Sequence, residues 1–595
     1  VIAVQDDLVA LELNDPAGRL IRNELVLITP SAEPGVQLAA EILRVRGRTA
    51  DAQVFEPTAG ISIGDKVLLT GEPLSATLGP GLLGQVYDGL QRPLEDLAQA
   101  HGVFLPRGVA GTPLPLRTRW PFRPTVAADA RVAAGDLLGW TEEGRIRHAI
   151  LAPFDLTGRA RVLWIEEAAF TVEDVIGELE DDSGRRRPLG LAQRWPVRQP
   201  LGNSRVRAGQ AQRRYPDQLL TTGQRIIDCF FPVARGGTAC IPGPFGAGKT
   251  ILQNLIARFS EADVVIMVAC GERAGEVVEM MGEFAHLTDP RGGGALMERT
   301  IIICNTSAMP VAARETSVHM GATLAEYYRE MGLDVLLLAD STSRWAQALR
   351  ETSGRLEEIP GEEAYPAALS SEIKAFYGRA GVIERADGTT GSLTLIGAVS
   401  PAGGNFEEPV TQATLATVKC FLGLSSERAY RRCFPAIDPL LSWSRYGGQV
   451  AASLTGVAGP DWSARIARAL DLLRRGDEVA QMMKVAGEEG VTLDDAIVHH
   501  KAQFLDAAFL QQDAFDAVDA ANALPAQIEA FGRVEAVLLA DVTLSEREAI
   551  RRWFSRLTAA AKAILYAAPN SAERAERARH FQDCLAEGVE KGVST

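Results

Sequence analysis

The alternation of apolar and polar positions changes period along the chain, and the changes divide it into five parts. Over residues 1–71 the apolar runs are short, alternate with polar positions and are broken by turn residues, as at 8–13, 24–28 and 39–45. Short strands at close spacing predict a small N-terminal β-barrel, whose expected role is assembly rather than chemistry. Residues 72–114 are rich in Gly, Leu and Pro and read as a linker and the start of the core. Residues 115–190 carry strand-like pieces at 148–151 and 160–165 and a charged turn at 180–187, which predicts a β-rich insertion. The arginines of that turn read as a solvated loop.

Over 191–446 the rhythm becomes strand, helix, strand. Apolar runs at 264–268, 300–304 and 335–339 are short enough for buried strands, and 311–331 repeats at helical spacing. A parallel sheet with helices on both faces follows, with its ligand expected beyond the carboxyl ends of the strands. Residues 447–595 are rich in Ala, Leu, Glu and Arg at helical spacing, as at 464–475 and 547–563, and predict a helical C-terminal domain. The expected fold class is multidomain α/β.

Composition narrows the classes. The chain has 595 residues, 46% hydrophobic and 23% charged, which suits a globular protein of several domains. No apolar run reaches the ~18 residues of a membrane span. The start, Val1 to Asp7, lacks the basic-then-apolar pattern of a secretory signal and lacks Met, so a few preceding residues are expected. The net charge of −15 argues against a nucleic-acid partner. Seven scattered Cys without a CxxC pair read as buried reduced thiols, and the seven His show no metal spacing.

The chemistry concentrates in Gly243-Pro244-Phe245-Gly246-Ala247-Gly248-Lys249-Thr250, which fits G-x-x-x-x-G-K-[ST]. A short apolar run at 237–241 precedes it and a helical pattern from Ile251 follows, which is the strand–loop–helix context in which backbone amides and a helix N-terminus cradle phosphate. Lys249 can reach the β/γ phosphates, and the Thr250 hydroxyl can hold Mg²⁺. Asp340 ends the apolar run of Asp334-Val335-Leu336-Leu337-Leu338-Ala339. A carboxylate there can hold Mg²⁺ through its water shell, or it can cap the next element. Glu272, in Cys270-Gly271-Glu272-Arg273, can orient and polarise an attacking water, and Arg273 can stabilise charge on the transferred group; an exposed charged loop is the plainer alternative.

These strings, with Ala339 to Ala346, Leu349-Arg350-Glu351, Ser353 to Glu358, Pro409-Val410-Thr411-Gln412, Thr222 to Asp228 and Gln193 to Arg198, closely resemble the catalytic A subunits of vacuolar/archaeal-type (V/A-type) rotary ATPases of bacterial or archaeal type. The resemblance covers nearly the whole chain, including the insertion, which is similar to the bulge domain of that family; it is weakest beyond about residue 530. It implies ATP and ADP as substrates, with Mg²⁺, at a RecA-like core. Lys249, Thr250, Glu272, Arg273 and Asp340 fall on the phosphate, magnesium and water-activating positions, and 243–251 on the nucleotide loop. Phe434 and Phe515 fall where aromatic rings enclose adenine; without the family both read as core aromatics. Implied partners are B subunits alternating with A in a hexamer and supplying an arginine finger, central and peripheral stalks and a membrane ion-translocating sector. The implied location is cytoplasmic, peripheral on the inner face of the membrane. An arginine finger commonly contributes ~10³–10⁵ in rate, so the isolated chain is expected to bind nucleotide and hydrolyse it poorly.

Three positions depart from the family pattern near these strings. Ala274-Gly275-Glu276 stands where Gly-Asn-Glu is usual, Gln347 where Glu is usual, and Asp513 where Asn is common. Ala247 stands where eukaryotic relatives carry Cys. Two other readings compete: a nucleotide-binding ring subunit with little turnover, against which Lys249 and Glu272 are present, and a RecA-like hexameric nucleic-acid translocase, against which the acidic charge speaks. A protein-export ATPase is a third, but such chains are shorter and lack the insertion.

Overall fold

The computed structural model describes residues 1–589 apart from 15–17, 103–105, 203–205, 207–208, 210 and 386. The chain forms two compact units: Val1–Tyr215, Ala262–Val399 and Glu407–Thr417 make the first, and Pro216–Glu261, Ser400–Phe406 and Val418–Thr595 the second.

The first unit begins with six antiparallel strands, Ala3–Gln5, Leu8–Glu12, Glu24–Thr29, Leu38–Arg46, Thr49–Val54 and Lys66–Pro73, in the order one, two, five, four, three, six. Alternate residues of Glu24–Thr29 are buried, and Val26 and Ile28 join Val9, Leu11, Leu38 and Ile42 in one core. The strands that apolar periodicity did not mark are the exposed Ala3–Gln5, the largely exposed Lys66–Pro73 and the Ala-, Asp- and Gln-containing Thr49–Val54.

The insertion holds two four-stranded sheets. One orders Arg131–Ala133, Arg159–Ile165, Val175–Asp181 and Arg186–Gly190, and the other Ile146–Leu151, Leu137–Glu143, Trp120–Pro124 and Ala168–Phe170. Phe122, Val132, Leu138, Ile150, Val162 and Ile176 form their shared core. The charged turn is a hairpin tip: Asp181 accepts the Ser183 and Arg185 N–H groups at 2.9 and 3.0 Å.

Five parallel strands then run in the order Val86–Tyr87, Thr300–Thr306, Val264–Glu272, Asp334–Asp340 and Thr390–Val399. Gly381–Arg385 and Ala211–Arg214 extend the sheet antiparallel. Val264 to Gly271 are all buried, the signature of a strand covered on both faces. The Val311–Glu330 helix is buried from Ala312 to its end. Gly321 lets it press onto the sheet, since a Cβ there would sit 2.4 Å from Val268 Cγ2. Several of its polar residues are paired by neighbours in the same unit. Glu315 accepts from Arg198, which also donates to Glu41 of the N-terminal sheet at 2.6 Å. Glu326 accepts the Leu201 N–H at 2.9 Å, and the Tyr327 hydroxyl lies 2.9 Å from Nε2 of the fully buried His148 in the insertion.

In the second unit Thr238–Pro242 pairs parallel with Cys420–Phe421, which pairs antiparallel with Trp443–Ser444. The helices Gly447–Ala458, Trp462–Ala486, Leu493–Leu505, Leu524–Leu539, Arg547–Leu565 and Ala572–Ala586 follow. Phe531 anchors them, its ring 5.2 Å from Trp462 and 5.3 Å from Phe509. All seven cysteines are buried and free. Among the described residues, no helix is long and apolar enough to cross a membrane.

Candidate active site

The phosphate loop lies in the second unit. Thr238–Pro242 is its strand and Lys249–Phe259 its helix, with Gly248 at the N-cap in a left-handed conformation, φ 85°. Gly246 is left-handed as well, φ 77°, so the loop reverses without side chains in the turn. Gly243 is required by contact, because a Cβ there would sit 2.7 Å from Leu424 Cβ. The helix has neither a side-chain cap nor an acidic residue in its first turn, so its N-terminal N–H groups and dipole meet no side-chain anion of that turn. The Lys249 ammonium donates to the Gly243 and Pro244 carbonyls at 2.9 and 3.0 Å, which holds a cation at the centre of the loop. Thr250, at the second helical position, is exposed. Ammonium, amide donors and a hydroxyl are the donor set that a polyphosphate requires.

Beside this loop is a cleft of about 520 Å³, lined by Gly246, Ala247, Gly248 and Ile251 and by two later segments that carry Phe434 and Phe515. Phe434 Cε2 lies 3.7 Å from where a Gly248 Cβ would be, so this ring sits against the loop. Phe515 is 89% exposed, which removes the core-aromatic reading for that residue. Phe245 and Ile251 are also exposed apolar residues of the loop. Sequence reading did not single out Gln512, Asp519, Lys562 or Tyr566, which line the same cleft. They lie far from the glycine loop in sequence and carry no motif, so only the fold brings them together.

The carboxylates lie in the first unit. Glu272 ends the Val264–Glu272 strand, Asp340 ends Asp334–Asp340, and the strands are adjacent and parallel, with Ala269 paired to Asp340. Asp340 is buried, and Ser341 stands at the N-cap of the following helix. Burial first, then the charge of Asp340 and the neighbouring Glu276, push the Glu272 carboxyl up to about 8, while Arg344 pulls it back. Gly271 is left-handed, φ 73°, and a Cβ there would sit 2.9 Å from Arg344 Cβ and 3.2 Å from Arg314 Cδ. The turn that presents Glu272 is therefore closed tightly between two arginines. The Asp340 carboxylate, buried at the end of the strand beside that of Glu272, is a hard oxygen ligand of the kind that suits Mg²⁺. Arg273 is exposed and lies 3.9 Å from Glu276. Gly275, in the segment that departs from the family pattern, has open space where a side chain would go. Gln347 accepts from Arg344 at 3.2 Å and donates to Glu351 at 3.0 Å, so the amide links a cation to a carboxylate.

Comparison with known proteins covers the same ground. The family model for the ATP synthase alpha/beta family, nucleotide-binding domain, matches residues 223–444. The alpha/beta subunit barrel-sandwich domain matches 111–198, and the alpha/beta family β-barrel domain matches 11–71. The C-terminal domain of V and A type ATP synthase matches 452–541. V-type ATP synthase alpha chain 1 of Treponema pallidum is 54% identical over 522 residues, 88% of this chain and 86% of that protein. The V-type ATP synthase alpha chain of Borrelia duttonii is 50% identical over 558 residues, 94% of this chain and 93% of that one. Among solved structures, the type III secretion ATPase EscN of enteropathogenic E. coli superposes with a TM-score of 0.61 at 20% identity, covering 90% of this chain and 99% of that one, a likeness of fold alone. Identity near one half across almost the full length, with β-barrel, inserted module, nucleotide-binding core and C-terminal domain in register, means that the chain belongs to the alpha-chain family of V-type ATP synthases.

Proposed function

We propose that this chain is the catalytic subunit of a V/A-type rotary ATPase, hydrolysing or synthesising ATP in a membrane-bound complex that couples the reaction to proton or sodium transport. The observation that supports it best is the phosphate loop, an ammonium-centred turn leading into a helix without a side-chain cap. Lys249 binds the β/γ phosphates, with the amides of 243–251 around them. Phe434 and Phe515 flank the base. Thr250 and, through water, Asp340 would hold Mg²⁺. When bound, that ion neutralises phosphate charge and orients the terminal phosphoryl group. Glu272 orients the attacking water and accepts its proton, and its buried, anion-rich setting keeps it basic enough to do so. Arg273 stabilises charge on the transferred group.

The reaction requires an arginine finger from a B subunit alternating with this chain in a hexamer. The stalks and the membrane sector complete the complex and place the chain at the cytoplasmic face of the membrane. On this reading the division at 71, 114, 190 and 446 gives assembly to the N-terminal part and phosphate chemistry to 191–446, with Phe515 contributed by 447–595.

Mg-ATP hydrolysis by the chain assembled with its B partner tests this reading, wild type beside Glu272→Gln. Turnover in wild type alone supports it. Turnover in neither, with nucleotide still bound, makes the chain a non-catalytic ring member.

A further inference from the structure

The cleft beside the phosphate loop depends on a segment that has no secondary structure to hold it. After the turn that ends at Leu510, residues 511–522 form neither helix nor strand, yet they supply Gln511, Gln512, Asp513, Phe515 and Asp519 to the cleft. Gln224 Nε2 donates to the Ala520 carbonyl at 2.8 Å and the Gly223 carbonyl accepts the Asn522 N–H at 3.0 Å, but the bonds nearest the cleft converge on one fully buried guanidinium. Arg225 donates from Nε to the Phe509 carbonyl at 2.8 Å, from Nη2 to the Gln511 carbonyl at 2.5 Å, and from Nη1 to Asn522 Oδ1 at 2.5 Å and to Asp519. Its own N–H donates to Gln512 Oε1 at 2.8 Å, and Gln512 Nε2 donates to the Gly223 carbonyl at 2.8 Å. The Gln512 N–H donates to the Phe434 carbonyl at 2.7 Å, which ties the two aromatic-bearing segments together through the same residue. Asp519 also accepts the Asp513 N–H at 2.8 Å, and Asp513 accepts the Phe515 N–H at 3.0 Å. Arg225 thus reaches Phe515 through Asp519 and Asp513, and Phe434 through Gln512.

We propose that Arg225 is a positioning residue for nucleotide-base recognition: with Gln512 and Asp519 it fixes the distance and angle between Phe434 and Phe515, and so the affinity for the base but not for the phosphates. The proposal rests on the nucleotide reading of this cleft. Planar guanidinium geometry is what joins carbonyl, carboxamide and carboxylate acceptors at once, and a lysine ammonium cannot reproduce that fork.

The test is calorimetric titration of the full-length chain, in Mg²⁺, with ATP and separately with inorganic tripolyphosphate, which has no base. A base stacked on an aromatic ring is worth ~1–3 kcal/mol, so Arg225→Lys and Gln512→Leu are expected to weaken ATP between about fivefold and about a hundredfold. Tripolyphosphate should stay within about twofold of wild type, and Arg225→Lys added to Phe434→Ala/Phe515→Ala should bind ATP no more weakly than Phe434→Ala/Phe515→Ala alone. Gln512→Leu leaves the buried Arg225–Asp519 pair in place and carries the test if Arg225→Lys does not fold. Equal loss of both ligands, unchanged ATP affinity in a folded variant, or a further ATP loss when Arg225→Lys is added to Phe434→Ala/Phe515→Ala would each overturn the proposal. Tripolyphosphate binding that survives Lys249→Ala unchanged would instead remove the phosphate site on which it stands, and the proposal with it.

Discussion

Gly271→Ala probes how the water-activating carboxylate is presented. Residue 271 sits at φ 73°, where an L side chain costs ~1–2 kcal/mol. The added methyl would lie 2.9 Å from Arg344 Cβ and 3.2 Å from Arg314 Cδ. Neither neighbour can swing away as a flexible tip: the first contact is at the root of its side chain, and Arg314 is buried. Overpacking of this kind costs ~1–3 kcal/mol, so the substitution should destabilise the first unit by about 2–5 kcal/mol. Whatever relief the turn finds moves Glu272, the next residue. Misplacement of a reacting group by ~1 Å costs on the order of 10²-fold in rate. The assays are thermal unfolding of the full-length chain and Mg-ATP turnover in the assembled complex, with ATP affinity as the control that should not change. Gly275→Ala is the matched comparison. It lies in a helix with open space at its Cβ position and should be stabilising by ~1 kcal/mol with normal turnover. A Gly271→Ala protein that melts and turns over like wild type would refute the tight-turn account of Glu272.

Further predictions concern the loop, the carboxylate and the barrel attachment. Lys249→Ala should abolish phosphate binding, read as loss of tripolyphosphate heat, because the loop then has amides but no ammonium. Glu272→Gln should retain nucleotide and lose turnover; hydrolysis at the wild-type rate would end its assigned role. Arg198→Met should cost ~3–5 kcal/mol by leaving Glu41 and Glu315 buried without their shared cation, measured by chemical unfolding. The same cluster gives an acid dependence. Burial pushes the Glu315 carboxyl up, but Arg198 and then His319 pull it well below the usual carboxylate range. Its contribution is complete above the unfolded value of ~4.3 and is lost as pH falls towards the depressed folded value, because there the unfolded chain binds the extra proton. Unfolding titrations at decreasing pH should show wild type losing stability faster than Glu315→Gln over that window.

Most of the fold was legible because it rests on period and composition. The short apolar runs at 264–268, 300–304 and 335–339 read as buried strands, and the glycine loop named its own strand and helix. Strands that are very short, such as Ala3–Gln5 and Val86–Tyr87, were not visible, since pairing with a neighbouring strand rather than an apolar run of their own marks them. The groups attached to motifs were found by motif, whereas Gln512, Asp519 and Arg344 were not, because their roles come from contacts made in space. Phe515 shows the difference most clearly: its residue type suggests a core position, and its 89% exposure at a cleft shows a surface one.

The buried Val311–Glu330 helix has a mechanical consequence. At ~1.5 Å per residue its twenty residues form a strut about 30 Å long. The N-terminal sheet is fastened near one end through Arg198 and Glu315, the inserted module near the other through His148 and Tyr327, and the parallel sheet along its middle at Gly321. A strut clamped at three places resists bending, so a displacement of the strand ends carrying Glu272 and Asp340 must move barrel, insertion and sheet as one stiff body. Torque applied to this part of the molecule would then be passed on with little elastic loss.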